Sequence, residues 1–523
     1  MRVNAQRSED MSHMLTQSSA PSAEGTFTPS RMMAALCTLQ LVVWTAVPTL
    51  ILRSLPTDTI ESFLWGREGI VMSYKHPQLP AWTLEALNYL TGTYLLSGFL
   101  SSQLAIVTTF AVVFALGYDM MGPQAAIAGV LMLPITGFYS WGTTQFNHDV
   151  VQMPFWAIIS WLLWRAQQRN HLHWWLILGA VSGLGLYGKF TTGLIIAFGA
   201  AWLFVEPQAR RLMVTRGPWL AIATLFVVVT PMFVIMMRMD FIQITYAGVS
   251  SAWSNSNHGK LYYIGVQLAL FAFLPLALWS SGMIGHGARR APDAKGPLLK
   301  DARARRYLVW MGIGPPAILA LASLFTGVDE NWSKPMYNLV GLLVVAYLGR
   351  RLDARGMRRL TIWGLGMPVF AALLFVTIKP TQCYLGGRFS YACLPGDEIA
   401  ARLQADFRVQ TGAPLRIVAG EGLLMMATAL YASDRPSMWT ELNVAYSPWI
   451  DGARIRREGL LLVWEGGGPI RKDWAAWTSG REVGRESFVW AKGRPPIVLS
   501  YAVIPPGETD LPPLLDKLDR NTM

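Results

Sequence analysis

Four stretches of this 523-residue chain set acids, basic residues and aromatic rings close together between long apolar runs. The first reads Thr57-Asp58-Thr59-Ile60-Glu61, then Trp65-Gly66-Arg67, then Tyr74-Lys75-His76-Pro77-Gln78-Leu79-Pro80-Ala81-Trp82. Its acids stand just beyond an apolar run, and its Lys-His pair precedes a proline-started amphipathic segment. A carboxylate at a membrane surface can take a proton from an acceptor hydroxyl. Cations beside it neutralise charge on a leaving phosphate. Together they suit sugar transfer from a lipid phosphate. The plainer alternative is structural: Asp58 caps a surface helix and Lys75 snorkels into head groups.

The second stretch, Asn147-His148-Asp149, runs directly into an apolar segment. An acid at the membrane edge is costly unless it is paired or functional, although Asp149 is also placed to cap a helix. With Asn147, the pair His148 and Asp149 could hold a divalent cation, but three adjacent residues make a weak metal signature. Lys189 stands between two apolar runs, where phosphate or carboxylate binding and snorkelling to the interface are both open. The last stretch, Asp329-Glu330-Asn331-Trp332-Ser333-Lys334, packs both charges and a ring into one turn. Asn331 and Trp332 would line a sugar site with the ring stacked on the sugar; an aromatic-belt loop is the alternative.

The elements that must hold these residues are membrane helices. Hydrophobic residues make up 52% of the chain and charged ones 15%, too little charge for the surface of a soluble protein of this length. The apolar residues gather in runs near 33–53, 94–117, 123–139, 150–165, 174–188, 191–205, 218–238, 261–283, 307–325, 335–349 and 361–378. About 20 apolar residues cross a bilayer, so these predict about eleven or more transmembrane helices. The 22 tryptophans fit a chain with two membrane boundaries.

A net charge of +12 would suggest a nucleic-acid partner in a soluble protein. Here about seventeen Lys and Arg fall in the loops 165–169, 210–216, 289–306 and 350–359, against about seven in the opposite set. That asymmetry orients the chain with these loops and the N-terminus inside, and implies no nucleic-acid function. The acid-bearing loops and the C-terminus then lie outside. Residues 1–30 are polar and read as a disordered cytoplasmic tail, not a cleavable signal.

From residue 379 the chain loses its membrane character. Residues 396–410 read as a helix opened by Asp397 and Glu398, with Ile399, Leu403 and Phe407 on one face. Residues 415–418, 460–464 and 497–503 read as strands. The expected fold is therefore an all-α polytopic membrane protein with a small external α/β domain at its C-terminus. The divisions are a tail over 1–30, a transmembrane body over 31–378 and an external domain over 379–523. Cys37 lies inside the first run; Cys383 and Cys393 could pair if that side is oxidising.

The spacing resembles the polytopic lipid-phosphosugar glycosyltransferases of GT-C type, which include the dolichyl-phosphate-mannose protein mannosyltransferases and the lipid A aminoarabinose transferases. The similar points are Asp58 to Glu61 after the first helix, His76-Pro77-Gln78-Leu79 leading to Trp82, and Asn147-His148-Asp149-Val150 with Pro154-Phe155-Trp156. Further ones are Gly183-Leu184-Gly185-Leu186 before Lys189, Asn331-Trp332 with Pro335 and Tyr337, and Leu430-Tyr431 followed by Asp434-Arg435-Pro436. The resemblance implies that Asp58 is the essential first-loop acid, Asp149 the second acidic position, and His76 a group beside the lipid phosphate. Relatives place Asp and Glu side by side, whereas Thr59 and Ile60 separate Asp58 from Glu61 here; their double proline is Pro77-Gln78 in this chain.

These readings lead to transfer of one sugar from a polyprenyl-phosphate donor to an external acceptor, at the outer face of a bacterial inner membrane. Asp58, Glu61 and Asp149 are the catalytic candidates; Lys75, His76, Lys189, Asn331 and Trp332 are the substrate-binding ones. No cofactor is required by the sequence; the resemblance covers both metal-independent and metal-assisted enzymes, which leaves a divalent ion at His148 and Asp149 open. The partners are the donor, a lipid, glycan or protein acceptor, and membrane lipids. A transporter or flippase of a lipid-linked sugar is the first rival, but transporters show repeated halves and midplane charges, and neither is visible. A non-catalytic assembly protein is the second.

Overall fold

Each of the eleven apolar runs lies on helix in the computed structural model, which describes residues 28–257, 261–285, 298–299, 301–385, 390–420, 422–468 and 470–516. The expected disordered tail falls on residues outside these, apart from its last three. The first helix, α1 (Pro29–Ile51), starts on the side chain of Thr28, which accepts from the Arg31 amide at 3.4 Å. Proline at its first position suits a helix start.

The first loop is itself helical. It forms α2 (Thr57–Arg67) and α3 (Leu79–Thr91), joined by a turn in which Met72 bridges to Pro77. Gly92, in the left-handed region at φ 72°, ends α3. The membrane body continues through α4 (Tyr94–Met121), α5 (Pro123–Leu131), α6 (His148–Arg169), α7 (Leu172–Gly188), α8 (Thr192–Val205) and α9 (Arg216–Arg238). It closes with α10 (Ile242–Asn257), α11 (Tyr262–Leu270), α12 (Phe273–Ser280), α13 (Ala302–Ala322), α14 (Val340–Leu348) and α15 (Ala354–Leu385). Three helices of the membrane body escaped the sequence reading: α2, which carries Asp58, α3, read only as an amphipathic segment, and α10, read as loop.

Among the described residues five helices, including α1, α4, α9 and α15, are long and apolar enough to cross a membrane. The span count of eleven is not reached by that measure. The helix expected over 123–139 stops at Leu131 and passes into short 3-10 turns; the one expected over 335–349 is helical as α14 only from Val340. Helices of nine residues each rise only about 14 Å, less than half the apolar thickness of a bilayer. These two pack on each other instead. A side chain at Gly341 would overlap the Gly129 carbonyl oxygen, so the two backbones meet through glycine.

The same device draws α7 to α9: a side chain at Gly179 would overlap the Ala221 carbonyl, and one at Gly183 would stand 2.7 Å from Val228. Buried amides replace water inside the body. Gln40 donates to Gln103 at 2.9 Å and to the Tyr139 carbonyl at 2.8 Å, and Asn338 donates to the Met153 carbonyl at 2.7 Å.

The last helix runs past residue 378 to Leu385, and a disulfide joins Cys383 to Cys393. The tail then folds as the composition shift predicted. Helices α16 (Gly396–Thr411), α17 (Gly422–Tyr431) and α18 (Gly452–Glu458) accompany a five-stranded mixed sheet. Its strands are β1 (Ile417–Gly420), β2 (Ser437–Thr440), β3 (Leu460–Glu465), β4 (Val483–Phe488) and β5 (Ile497–Ile504), in the order β2-β1-β3-β5-β4. β1 is parallel to both neighbours; β3, β5 and β4 run antiparallel. β2 and β4 were not read from the sequence: β2 has only four residues, and β4 alternates with few apolar side chains on an edge.

The tail is clamped onto the first loop. Arg67 donates to the Ala429 and Leu430 carbonyls at 2.7 and 2.5 Å, at the C-terminal end of α17, where a cation is favoured. The Tyr431 hydroxyl meets Ser54 at 3.1 Å, and Arg435 pairs with Glu85 at 3.2 Å. Arg53 pairs with Glu398 at 2.6 Å. Tyr431 and Arg435 of that motif are thus part of the joint between tail and body, whereas Asp434 binds Arg408 within the tail.

Candidate active site

A chain that buries an acid inside a membrane body must supply it with a partner, and two buried acids, Asp149 and Glu61, have one. Asp149, in the first turn of α6, accepts from Lys189 Nζ at 2.6 Å, and both side chains are less than a tenth exposed. Lys189 sits in extended backbone between α7 and α8, where Gly185 and Gly188 let the turn approach α6. Glu61, on α2, pairs with Lys75 Nζ at 2.8 Å. Burial alone would lower the Lys75 ammonium, but the Glu61 carboxylate together with Tyr74 and Tyr246 outweighs it and holds the group well above its ordinary range.

The capping alternatives for the acids do not hold. The cap of α6 is Asn147, whose Oδ1 accepts from the amides of Asp149 and Val150 at 3.0 and 3.2 Å. Asp58 caps nothing: α2 begins after Pro56, with no side-chain cap. Its Oδ2 accepts from Asn147 Nδ2 at 3.0 Å, and no cation pairs with it among the described residues. Lys75 is held by Glu61 and does not snorkel outward.

All nine candidates line one cavity of about 370 Å3: Asp58, Glu61, Lys75, His76, His148, Asp149, Lys189, Asn331 and Trp332. Five separate segments, on α2, the turn before α3, α6, the turn before α8 and the 3-10 helix Glu330–Tyr337, converge there. Lys189 Nζ stands 5.6 Å over the Trp332 ring, and Lys75 Nζ stands 5.3 and 5.7 Å over the rings of Tyr74 and Tyr246. Each lysine therefore has one carboxylate and aromatic walls.

His76 and His148 face each other with ring centres 4.3 Å apart. His148 Nε2 meets the Pro77 carbonyl at 3.0 Å, which fixes the turn that presents His76. Burial, then the nearby His148, Lys189 and Lys75, push the His76 imidazole well below its ordinary value. It is a neutral hydrogen-bonding ring, not a cation. Its Nδ1 is buried without a hydrogen-bond partner among the described residues.

The geometry tells against a metal ion. His148 is engaged with Pro77 and Asp149 with Lys189, and no group of three or more His, Cys, Asp or Glu side chains among the described residues could hold an ion. The residues present do not fit one.

Sequence reading missed Gln243, Tyr246, Ala247 and Ser250, which α10 brings to the cavity. Gln243 donates to the Ser73 carbonyl at 2.9 Å. The signal was present: Gln243, Tyr246, Ala247 and Ser250 follow the i, i+3, i+4, i+7 spacing of one helix face.

Comparison with known proteins agrees with the resemblance to polytopic membrane glycosyltransferases of GT-C type read from the motifs. The family model for dolichyl-phosphate-mannose-protein mannosyltransferase matches residues 75–235, a segment that holds Lys75, His76, His148, Asp149 and Lys189. The lipid A galacturonosyltransferase RgtD of Rhizobium johnstonii is 23% identical over 340 residues, 63% of this chain and 67% of that protein. The fold is that of ArnT from Cupriavidus metallidurans. In its crystal structure bound to undecaprenyl phosphate the TM-score is 0.58 at 13% identity, and in the apo state 0.59 at 14%. Both matches cover 89% of this chain and 97% of that one.

Proposed function

We propose that the chain transfers a sugar from a polyprenyl-phosphate carrier to a lipid, glycan or protein acceptor on the periplasmic face of a bacterial inner membrane. The observation that carries this reading is the division of labour among the cavity acids. Glu61 and Asp149 each hold a lysine, whereas Asp58 lines the same cavity with only an amide as partner.

A sugar phosphodiester carries one negative charge, and loss of the sugar leaves a prenyl phosphate with two. Lys75 and Lys189 neutralise the added charge as the bond from the anomeric carbon to the phosphate oxygen breaks. His76 donates or accepts one hydrogen bond at the phosphate. Asp58 takes the proton of an acceptor hydroxyl as its oxygen bonds to the anomeric carbon. If the acceptor is itself a phosphate, it needs no base and Asp58 orients it. Trp332 and Asn331 hold the sugar, with the ring as its platform.

The basic loops support the sidedness. Arg165 and Arg169 sit at the far end of α6 from Asp149, about 30 Å away along a 22-residue helix. The division into tail 1–30, body 31–378 and periplasmic domain 379–523 belongs to the same reading. So does the count of about eleven spans, in which the short helices α5 and α14 cross together with the irregular chain that adjoins them.

The relatives frame the substrate: the fold neighbour carries undecaprenyl phosphate and the curated relative is a lipid A galacturonosyltransferase by name. Mass spectrometry of envelope glycolipids from a deletion strain should show loss of one sugar, restored by the wild-type gene. An unchanged envelope profile, together with no transfer by purified protein from any prenyl-phosphate sugar, would sink the proposal.

A further inference from the structure

The tail contributes no residue to the cavity lining among the described residues, yet it touches the cavity's wall at one point. Tyr446, in the segment after β2, stacks on Tyr74 with ring centres 4.4 Å apart and 26° between planes. Both rings are buried, Tyr446 to 2% exposure and Tyr74 to 5%. Tyr74 is the residue before Lys75, and its ring lies under the Lys75 ammonium at 5.3 Å. Trp65 and Tyr246 meet the edges of Tyr74 at 6.3 and 5.8 Å, closing a cage around the lysine.

The segment that presents Tyr446 is built to stay in place. Glu441 and Leu442 both adopt left-handed backbone, at φ 56° and 50°, a conformation that costs energy in residues with side chains. It is held there: the Glu441 amide donates to the Gly420 carbonyl at 3.0 Å, and its carboxylate pairs with Arg471 at 2.6 Å. The Val444 amide donates to the Leu515 carbonyl at 2.8 Å, and Asn443 Oδ1 accepts from Ala445 at 2.8 Å. A surface loop with no task beyond connection does not need this much fixing.

We infer that Tyr446 is a positioning residue: through its stack on Tyr74, the C-terminal α/β unit sets the Lys75 ammonium where the donor phosphate binds. The inference rests on the proposed phosphate role of Lys75. Other joints between tail and body, such as Arg435 with Glu85, lie elsewhere on the first loop and hold the unit without touching the cage.

The test uses the full chain in membranes at matched protein levels. Tyr446→Ala should raise the KM for the prenyl-phosphate sugar about threefold to tenfold, the range an aromatic stack supplies, with the acceptor KM unchanged. Tyr446→Phe keeps the ring and should restore the wild-type value. Arg435→Ala should leave the donor KM unchanged, since it loosens the same interface away from Lys75. Tyr446→Leu, which keeps apolar bulk without the stack, replaces the alanine variant if that fails to accumulate. Binding of undecaprenyl phosphate to the protein in detergent reads the same step without turnover. Equal donor binding by wild type and both stack-deficient variants, or equal damage from Arg435→Ala, overturns the inference. Absence of turnover alongside weakened binding in the variants defeats the transfer reading and leaves this one standing.

Discussion

Replacing Asp58 with asparagine separates chemistry from structure at this site. The side chain stands at the second position of α2, in the first turn, where an acid gains from the helix dipole about 0.3–1 kcal/mol. Asparagine forfeits that but keeps an oxygen to accept from Asn147 Nδ2, so the hydrogen bond seen at 3.0 Å survives. The change should therefore cost the fold about 1 kcal/mol or less, and protein levels should stay near wild type. Loss of a general base is of another size, about 10²–10⁴-fold in rate, or about 2.7–5.5 kcal/mol of barrier. Sugar transfer in membranes, at saturating donor and equal protein, should fall by that factor for a hydroxyl acceptor. Glu61→Gln makes the contrast, since it strips Lys75 of its carboxylate and should lower protein level and donor affinity together. Full activity of Asp58→Asn at normal protein level would refute the base assignment. If Glu61→Gln and the double variant were also fully active, a transporter of lipid-linked sugars would become the better reading.

Two further outcomes follow from the same geometry. His76 has its protonation depressed when folded, so the folded state resists a proton that the unfolded chain binds near pH 6.5. Stability should be full above that pH and fall progressively below it; His76→Gln should flatten the part of an acid thermal-melt series due to this ring, and an identical pH slope in the variant would show that the ring is not buried neutral. For sidedness, a cysteine at the exposed position Arg305 should resist an impermeant thiol reagent in cells with only the outer membrane opened, while one at the exposed Val409 should react; labelling at 305 with silence at 409 would invert the topology.

Most of the helical body was legible because the bilayer makes apolar run length a direct constraint. It was least legible where helices are too short to cross on their own. The runs over 123–139 and 335–349 are as apolar as the spanning ones, yet α5 and α14 are short because they bury their faces on each other through Gly129 and Gly341. Hydropathy reports removal from water and does not say whether lipid or protein takes its place. In the tail the core strands β1, β3 and β5 were readable from unbroken apolar runs. The edge strands β2 and β4 were not, since half-exposed strands of few residues carry little periodic signal.

The site was legible as residue types but not as partners. A charge at the membrane edge draws notice wherever it falls, because the bilayer makes it costly, and so Asp58, Glu61, Lys75, Asp149 and Lys189 all stood out. Nothing in their spacing says that Lys189 belongs to Asp149, 40 residues earlier, or that Lys75 belongs to Glu61. That pairing decides the chemistry. A carboxylate committed to an ammonium at 2.6 or 2.8 Å holds a cation in place, and that bond occupies the oxygen a substrate hydroxyl would need. By sequence Asp58 was the favoured base, but its unusual spacing from Glu61 left open which of the two acts. In the proposed mechanism, three-dimensional pairing commits Glu61 to Lys75 and Asp149 to Lys189. The remaining acid, Asp58, is the one whose lone pairs are open to a substrate hydroxyl.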